Sequence, residues 1–227
     1  MSHSKKPLKG PTVFVVDPDP ATGDMVCEVL EGTSVGCETF RCGRDFLAAY
    51  RNGRPGCVLL EQRIPDMSGF QIQHRLAAAG WQIPLIFIVT KPDVSTAVEL
   101  MRGGALHVLE KPVRSIELLT TIQEAIEADE SRRRAECHHS RIKQLTDALT
   151  QKERHVLDLI AQGKSAKQIA AEVQRSVRAV ELRRKSLMQK LSVRSTLELM
   201  RFSVLVHQEI DLPLAPALSD TVARSSA

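Results

Sequence analysis

Aromatic side chains are scarce in this sequence, with one Trp, one Tyr and six Phe among 227 residues. Single strands of nucleic acid are held on aromatic stacking platforms, so no such platform is expected. Long apolar runs are missing too. None approaches the roughly 18 residues that a membrane-spanning helix requires. The opening stretch, MSHSKKPLKGPTV, is basic but lacks an apolar core segment, which argues against a secretory signal. Cysteine is modest in number: Cys27, Cys37, Cys42, Cys57 and Cys137. No two have metal-ligand spacing and the count is odd, which fits a reducing cytoplasm. Cys137, His138 and His139 are adjacent, but neighbours on a helix point to different faces, so no metal is expected there.

What is present is ordinary for a soluble globular protein, with 43% hydrophobic and 26% charged residues. The length suits one large or two small domains. A formal net charge of +4 hides an asymmetry. Residues 1–128 carry 13 Lys or Arg against 15 Asp or Glu, a net of −2, whereas residues 149–208 carry 12 against 5, a net of +7. A mildly acidic half joined to a basic one suggests that the second half meets a polyanion.

The first half alternates between short apolar runs and helical patterns. TVFVVD (12–17), SVGCETF (34–40), CVLLE (57–61), PLIFIVT (84–90) and ALHVLE (105–110) are strand candidates. Helical patterns lie between them, such as Met25, Val26, Val29 and Leu30, or Ile72, Leu76 and Ala79. Asp93 is placed to cap a helix that carries Val94, Ala97, Val98 and Met101. Five strands alternating with helices imply a mostly parallel sheet covered on both faces. Chemistry in such a sheet gathers at the strand C-termini, here Asp17, Glu61, Thr90 and the Lys111-Pro112 region.

From residue 114 to about 147 the chain reads as one helix, with Ile116, Leu119, Ile122, Ala125 and Ile126 on an apolar face. Its continuation, ADESRRRAECHHSRIKQLTDA, reads as a solvated linker. The pattern then changes. TQKE (150–153) and SAKQ (165–168) are capping boxes, Gly163 a C-terminal cap and Ser176 a cap for a third helix ending near Leu191. STLELMRFSVLVH makes a fourth, and a Pro-, Ala- and Ser-rich tail follows.

The segments VVDPDP, LLEQRIPDMSG, IVT and LEKP, in that order, resemble the receiver domain of bacterial two-component response regulators. LTQKERHVLDLIAQGKSAKQIAAEV, followed by SVRAVELRRKSLMQKLSVRS, resembles the LuxR-type helix-turn-helix. Together they are similar to the FixJ/NarL class. The resemblance implies a flavodoxin-like receiver, a doubly wound α/β fold with a five-stranded parallel sheet, over residues 10–128. A helical linker (129–147), an all-α four-helix DNA-binding domain (148–208) and a disordered tail (209–227) would follow. It implies a cytoplasmic, non-enzymatic transcription regulator. The partners would be double-stranded DNA, a second copy of the chain, and a sensor kinase or another protein acting on the receiver.

In that family an aspartate after the third strand accepts a phosphoryl group, and two acidic residues after the first strand hold Mg²⁺. A Thr contacts the phosphoryl group and a Lys neutralises it, since metal and cation offset the charge of in-line transfer. Carried onto this chain, Asp17, Thr90 and Lys111 match, but Pro18 stands at the second acid and Glu61 at the phosphoacceptor. Proline offers no ligand to a cation that needs several oxygens. The extra methylene of Glu displaces the nucleophile by about 1 Å, and such a displacement costs around 10²-fold. Normal phosphorylation and Mg²⁺ binding are therefore expected to be impaired, and no cofactor is expected. Glu61 then either partly mimics the phosphoryl charge or simply pairs with Lys111. Val108 stands where the family commonly has an aromatic. The resemblance also implies a cis Lys111-Pro112 bond. Rival readings are phosphorylation on Asp17, Asp19 or Asp66, and a protein-interaction module that does not read DNA.

In the recognition helix, Val177, Val180, Leu187 and Leu191 are expected to face the core, with Arg178, Glu181, Leu182, Lys185 and Gln189 opposite. The resemblance puts Glu181, Leu182 and Lys185 at base edges. Arg183, Arg184, Lys190 and Lys167 are better placed for phosphates. Ala179 and Arg183 replace a frequent Thr and His of the family.

Overall fold

A computed structural model describes residues 10–211. Its first part runs β1 (Thr12–Val16), α1 (Pro20–Val29), β2 (Gly36–Phe40), α2 (Gly43–Ala49), β3 (Gly56–Glu61), α3 (Gly69–Ala78), β4 (Leu85–Val89), α4 (Val94–Arg102) and β5 (His107–Glu110). The strands form one sheet in the order β2-β1-β3-β4-β5. Every neighbouring pair is parallel, which requires the crossover connections that the helices supply.

Successive strand residues point to opposite faces, and here both faces are apolar. Phe14, Val16, Val58, Leu60, Phe87 and Val89 pack on one side against Phe46 and Tyr50 at α2, Ile72 and Leu76 of α3, and Leu100 of α4. Rings concentrate on this face: Phe14 meets Tyr50 edge-on at 5.3 Å, and Tyr50 meets Trp81 at 5.3 Å. On the other side Val13, Val15, Cys57, Leu59, Ile86 and Ile88 pack against Val26 and Leu30 at α1 and Leu118, Ile122, Ala125 and Ile126 of α5 (Ser115–Asp147). Each fully buried aliphatic side chain contributes about 1.5–3 kcal/mol, so these two layers supply the unit's main stabilisation.

The buried face of α5 differs from expectation at its start. Leu118 is buried and Ile116 is 83% exposed, because the stripe through Ile122, Ala125 and Ile126 continues back by four residues to 118 rather than to 116. The same stripe runs forward into the charged stretch at Asp129, which is 1% exposed. Its carboxylate accepts the Gly56 N–H at 3.0 Å and pairs with Arg132 at 2.5 Å and Arg133 at 2.6 Å. Arg133 also donates to the carbonyls of Gly53 and Arg54. The segment read as solvated linker therefore begins with a buried ionic clamp on the start of β3.

Two of the five cysteines are bonded, Cys27 of α1 to Cys37 of β2, across a Cα separation of 5.6 Å. Neither their spacing nor the odd count indicates that pair. Cys57 is buried among aliphatic neighbours, which pushes its thiol up to about 12.

The chain divides into two compact units at Arg134 and Ala135. The second holds α6 (Gln151–Ala161), α7 (Ala166–Glu172), α8 (Val177–Lys190) and α9 (Thr196–Asp211). Thr150 and Ser165 both close capping boxes, with Glu153 and Gln168, and Gly163 takes φ +75° just past α6. The core gathers Val156, Leu157, Ile160, Ile169, Val180, Leu187 and Leu199. Residues 209–211, expected in the tail, complete α9, and the tail from 212 lies outside the described residues.

Candidate functional site

β1 and β3 are adjacent, so their C-terminal ends bring Asp17 and Glu61 to one edge of the sheet. β5 lies beyond β4, and Lys111 follows it directly. The Lys111 Nζ sits 2.6 Å from Asp17 Oδ2 and 2.8 Å from Glu61 Oε2. Residues separated by 94 positions in the chain thereby share one ion-paired group. Asp17 and Glu61 are both buried, at 5% and 9% exposure. Burial alone would lower the Lys111 ammonium, but hydrogen bonds to the two carboxylates outweigh it and raise its pKa.

The remaining oxygens are engaged as well. Asp17 Oδ1 accepts the backbone N–H of Asp19 at 2.8 Å. Glu61 Oε1 turns back onto its own loop and accepts the N–H groups of Gln62 at 2.8 Å and Arg63 at 3.3 Å. All four carboxylate oxygens thus have donors. Pro18 follows Asp17 in the loop between β1 and α1 and brings no oxygen from its side chain. Thr90 follows β4 and is exposed. The Lys111-Pro112 bond is cis, as the resemblance implied. Val108 is partly buried against the core.

The other aspartates of this edge serve as helix caps. Asp19 accepts from Ala21 N–H at the start of α1. Asp66 accepts from Gly43 and Arg44 N–H groups at the start of α2, both at 2.9 Å. Those two backbone hydrogen bonds outweigh a desolvation effect of opposite sign and hold the Asp66 carboxyl below its ordinary range.

In the second unit Ser176 caps α8 by accepting from Ala179 N–H. Val180 and Leu187 are buried, and Leu191 closes the same side. Val177 is 42% exposed instead of facing the core, and it is the first residue of α8. Arg178, Glu181, Leu182, Lys185 and Gln189 are exposed, and Leu182 stands at 62%. Lys167 of α7 is exposed too, and Arg183 partly so. Arg184 Nη1 lies 3.3 Å from Glu181 Oε1, one turn earlier.

Lys190 differs from expectation. Its side chain is exposed, but its ammonium also lies 2.8 Å from Glu153 and ties α8 to the start of α6. Sequence reasoning missed Glu153 and Asp129 as buried partners, since both look like surface charges in charged runs.

Comparison with known proteins decides the family. Residues 13–123 match the response regulator receiver domain, and residues 147–203 match the luxR family of bacterial regulatory proteins. The transcriptional regulatory protein TdiR of Thauera aromatica is 32% identical over 191 residues, covering 84% of each chain. The chain is a response regulator with a LuxR-type DNA-binding domain. Nodulation protein W of Bradyrhizobium diazoefficiens is a second relative of this response regulator, 33% identical over 84% of each chain. Among solved structures, response regulator StyR superposes with a TM-score of 0.79 at 35% identity, covering 86% of this chain and 98% of that one. Both halves of this response regulator therefore have matched counterparts.

Proposed function

We propose that this response regulator controls transcription by binding duplex DNA as a homodimer, and that its receiver does not undergo ordinary aspartyl phosphorylation. One observation carries the second half of that reading. Every carboxylate oxygen of Asp17 and Glu61 is occupied, with Lys111 bridging the two. A divalent cation needs several open oxygen ligands, and here Pro18 supplies none while Asp19 caps α1. The residues present do not fit Mg²⁺. Glu61 acts as a fixed countercharge to Lys111. Removing either carboxylate would still leave the Lys111 ammonium paired with the other.

The direct test offers the protein Mg²⁺ and acetyl phosphate and looks for an acid-stable mass adduct. None is expected. An adduct that Glu61→Gln abolishes would overturn the reading, and one that Asp19→Asn or Asp66→Asn abolishes would move the acceptor there. The DNA half is tested with random duplex at varied salt. Lys185→Ala and Arg184→Ala should each weaken binding, and a lost phosphate contact should lower the salt slope by about 1. If neither affinity nor slope changes, α8 does not read DNA. A homodimer suits a module this small, because a single copy makes few specific contacts.

A further inference from the structure

The disulfide joins two elements that between them hold Asp17. The backbone N–H of Asp17 donates to Phe40 O at the end of β2, at 3.0 Å. Its Oδ1 accepts the N–H of Asp19, the residue that caps α1. Asp17 is thus suspended between the end of the strand that carries Cys37 and the start of the helix that carries Cys27. Both cysteines are only partly buried, so small thiols and disulfides can reach them. The bond closes a short loop around an edge strand, which pairs only with β1. Beside the bond, α1 and β2 meet by packing alone, as where a Cβ on Gly23 would come 2.9 Å from Thr39 Cγ2.

We propose that Cys27 and Cys37 form a reversible dithiol–disulfide site whose oxidation state sets how firmly Asp17, and through it Lys111, is held. This goes beyond the reading above and does not depend on whether Glu61 accepts phosphate. The co-reactant is a low-molecular-weight disulfide. One thiolate attacks a sulfur of that disulfide and expels the first small thiolate, giving a mixed disulfide. The second thiolate attacks the protein sulfur of that intermediate and expels the other small thiolate. One S–S bond breaks and one forms, and the two protons lost by the cysteines go to the two released thiolates. The protein is oxidised by two electrons, and the small disulfide is reduced by two.

Of the remaining cysteines, Cys57 is sealed in the core, Cys42 is partly buried at the α2 cap, and Cys137 is exposed on α5. None is a competing partner at bonding distance in the structure. Intact full-length protein is therefore equilibrated with mixtures of reduced and oxidised glutathione, denatured in alkylating reagent and weighed. The oxidised form should take up three alkyl groups and the reduced form five, since the chain has five cysteines and two are bonded. Peptide mapping should place the bond at 27–37. Closing a loop of this size should raise the melting temperature of the first unit by on the order of 5–10 °C. Amide exchange in the peptide spanning 13–22 should be slower in the oxidised state. These comparisons use the wild-type chain, so they stand even if the Cys27→Ser/Cys37→Ser variant folds poorly. Where that variant folds, its exchange should ignore the glutathione ratio. Five alkyl groups at every ratio, a bond that glutathione cannot reduce, a different pairing, or equal exchange over 13–22 in both states would each overturn the proposal.

Discussion

Glu153 is the group whose titration should most clearly move the stability of the helical unit. Its carboxylate takes a hydrogen bond from the Lys190 ammonium and others from the Thr150 backbone and hydroxyl. Together these hold its pKa down to about 2, from an ordinary 4.5. A carboxyl whose folded pKa is depressed stabilises the fold at every pH above its unfolded value. It loses that contribution as pH falls through the folded value, so the window here runs from 4.5 down to about 2. At about 1.36 kcal/mol per pH unit the full span is worth about 3 kcal/mol. The Lys190 side chain is 41% exposed, and solvent screening reduces the expected effect to roughly 2 kcal/mol. Denaturant unfolding followed by far-ultraviolet circular dichroism, in the wild type and Glu153→Gln, measures it. The wild type should hold its advantage at neutral pH and lose it progressively in acid. A carbon-13 titration of the Glu153 carboxyl gives the pKa itself. A value near 4.5, or a wild-type advantage that does not change across the acid range, would refute the account.

Three further perturbations follow from the packing. Asp129→Ala leaves Arg132, Arg133 and the Gly56 N–H without their buried carboxylate, and denaturant titration should show a loss of about 3–5 kcal/mol. Gly56→Ala should cost upwards of about 3 kcal/mol in the same measurement. A Cβ there would come 1.8 Å from Thr12 O at a φ of +139°, so the backbone of β1 or β3 must shift. Leu187→Ala, at a fully buried position under α8, should destabilise the helical unit by about 2–5 kcal/mol by calorimetry.

Local signals carried most of the fold. Alternation of apolar runs with helical periods is a short-range pattern, and it placed all five strands to within two residues at each end. Capping boxes at Thr150 and Ser165 are likewise written in four consecutive residues. What the chain hides is partnership across long separations. Asp129 falls on the apolar stripe of α5, but nothing near it reveals its partner, because the Gly56 N–H that it accepts lies 73 positions earlier. Glu153 is legible as a cap but not as the partner of Lys190, 37 positions on. The site edge was legible as positions, since strand ends are predictable. The direction in which Glu61 turns, with one oxygen to Lys111 and the other to its own loop, emerges only from the folded backbone. Ile116 and Val177 missed for a simpler reason: at the first turn of a helix, periodicity alone does not tell which residue has already met its neighbour.

The contact between Tyr50 and Trp81 has a practical consequence. These are the only Tyr and the only Trp in the chain, and both lie in the first unit. Intrinsic fluorescence therefore watches the receiver alone, and the helical DNA-binding unit is dark. Helix signal, by contrast, comes from both. Emission and ellipticity recorded on one sample become two clocks, and the gap between them times how far the two halves melt as one.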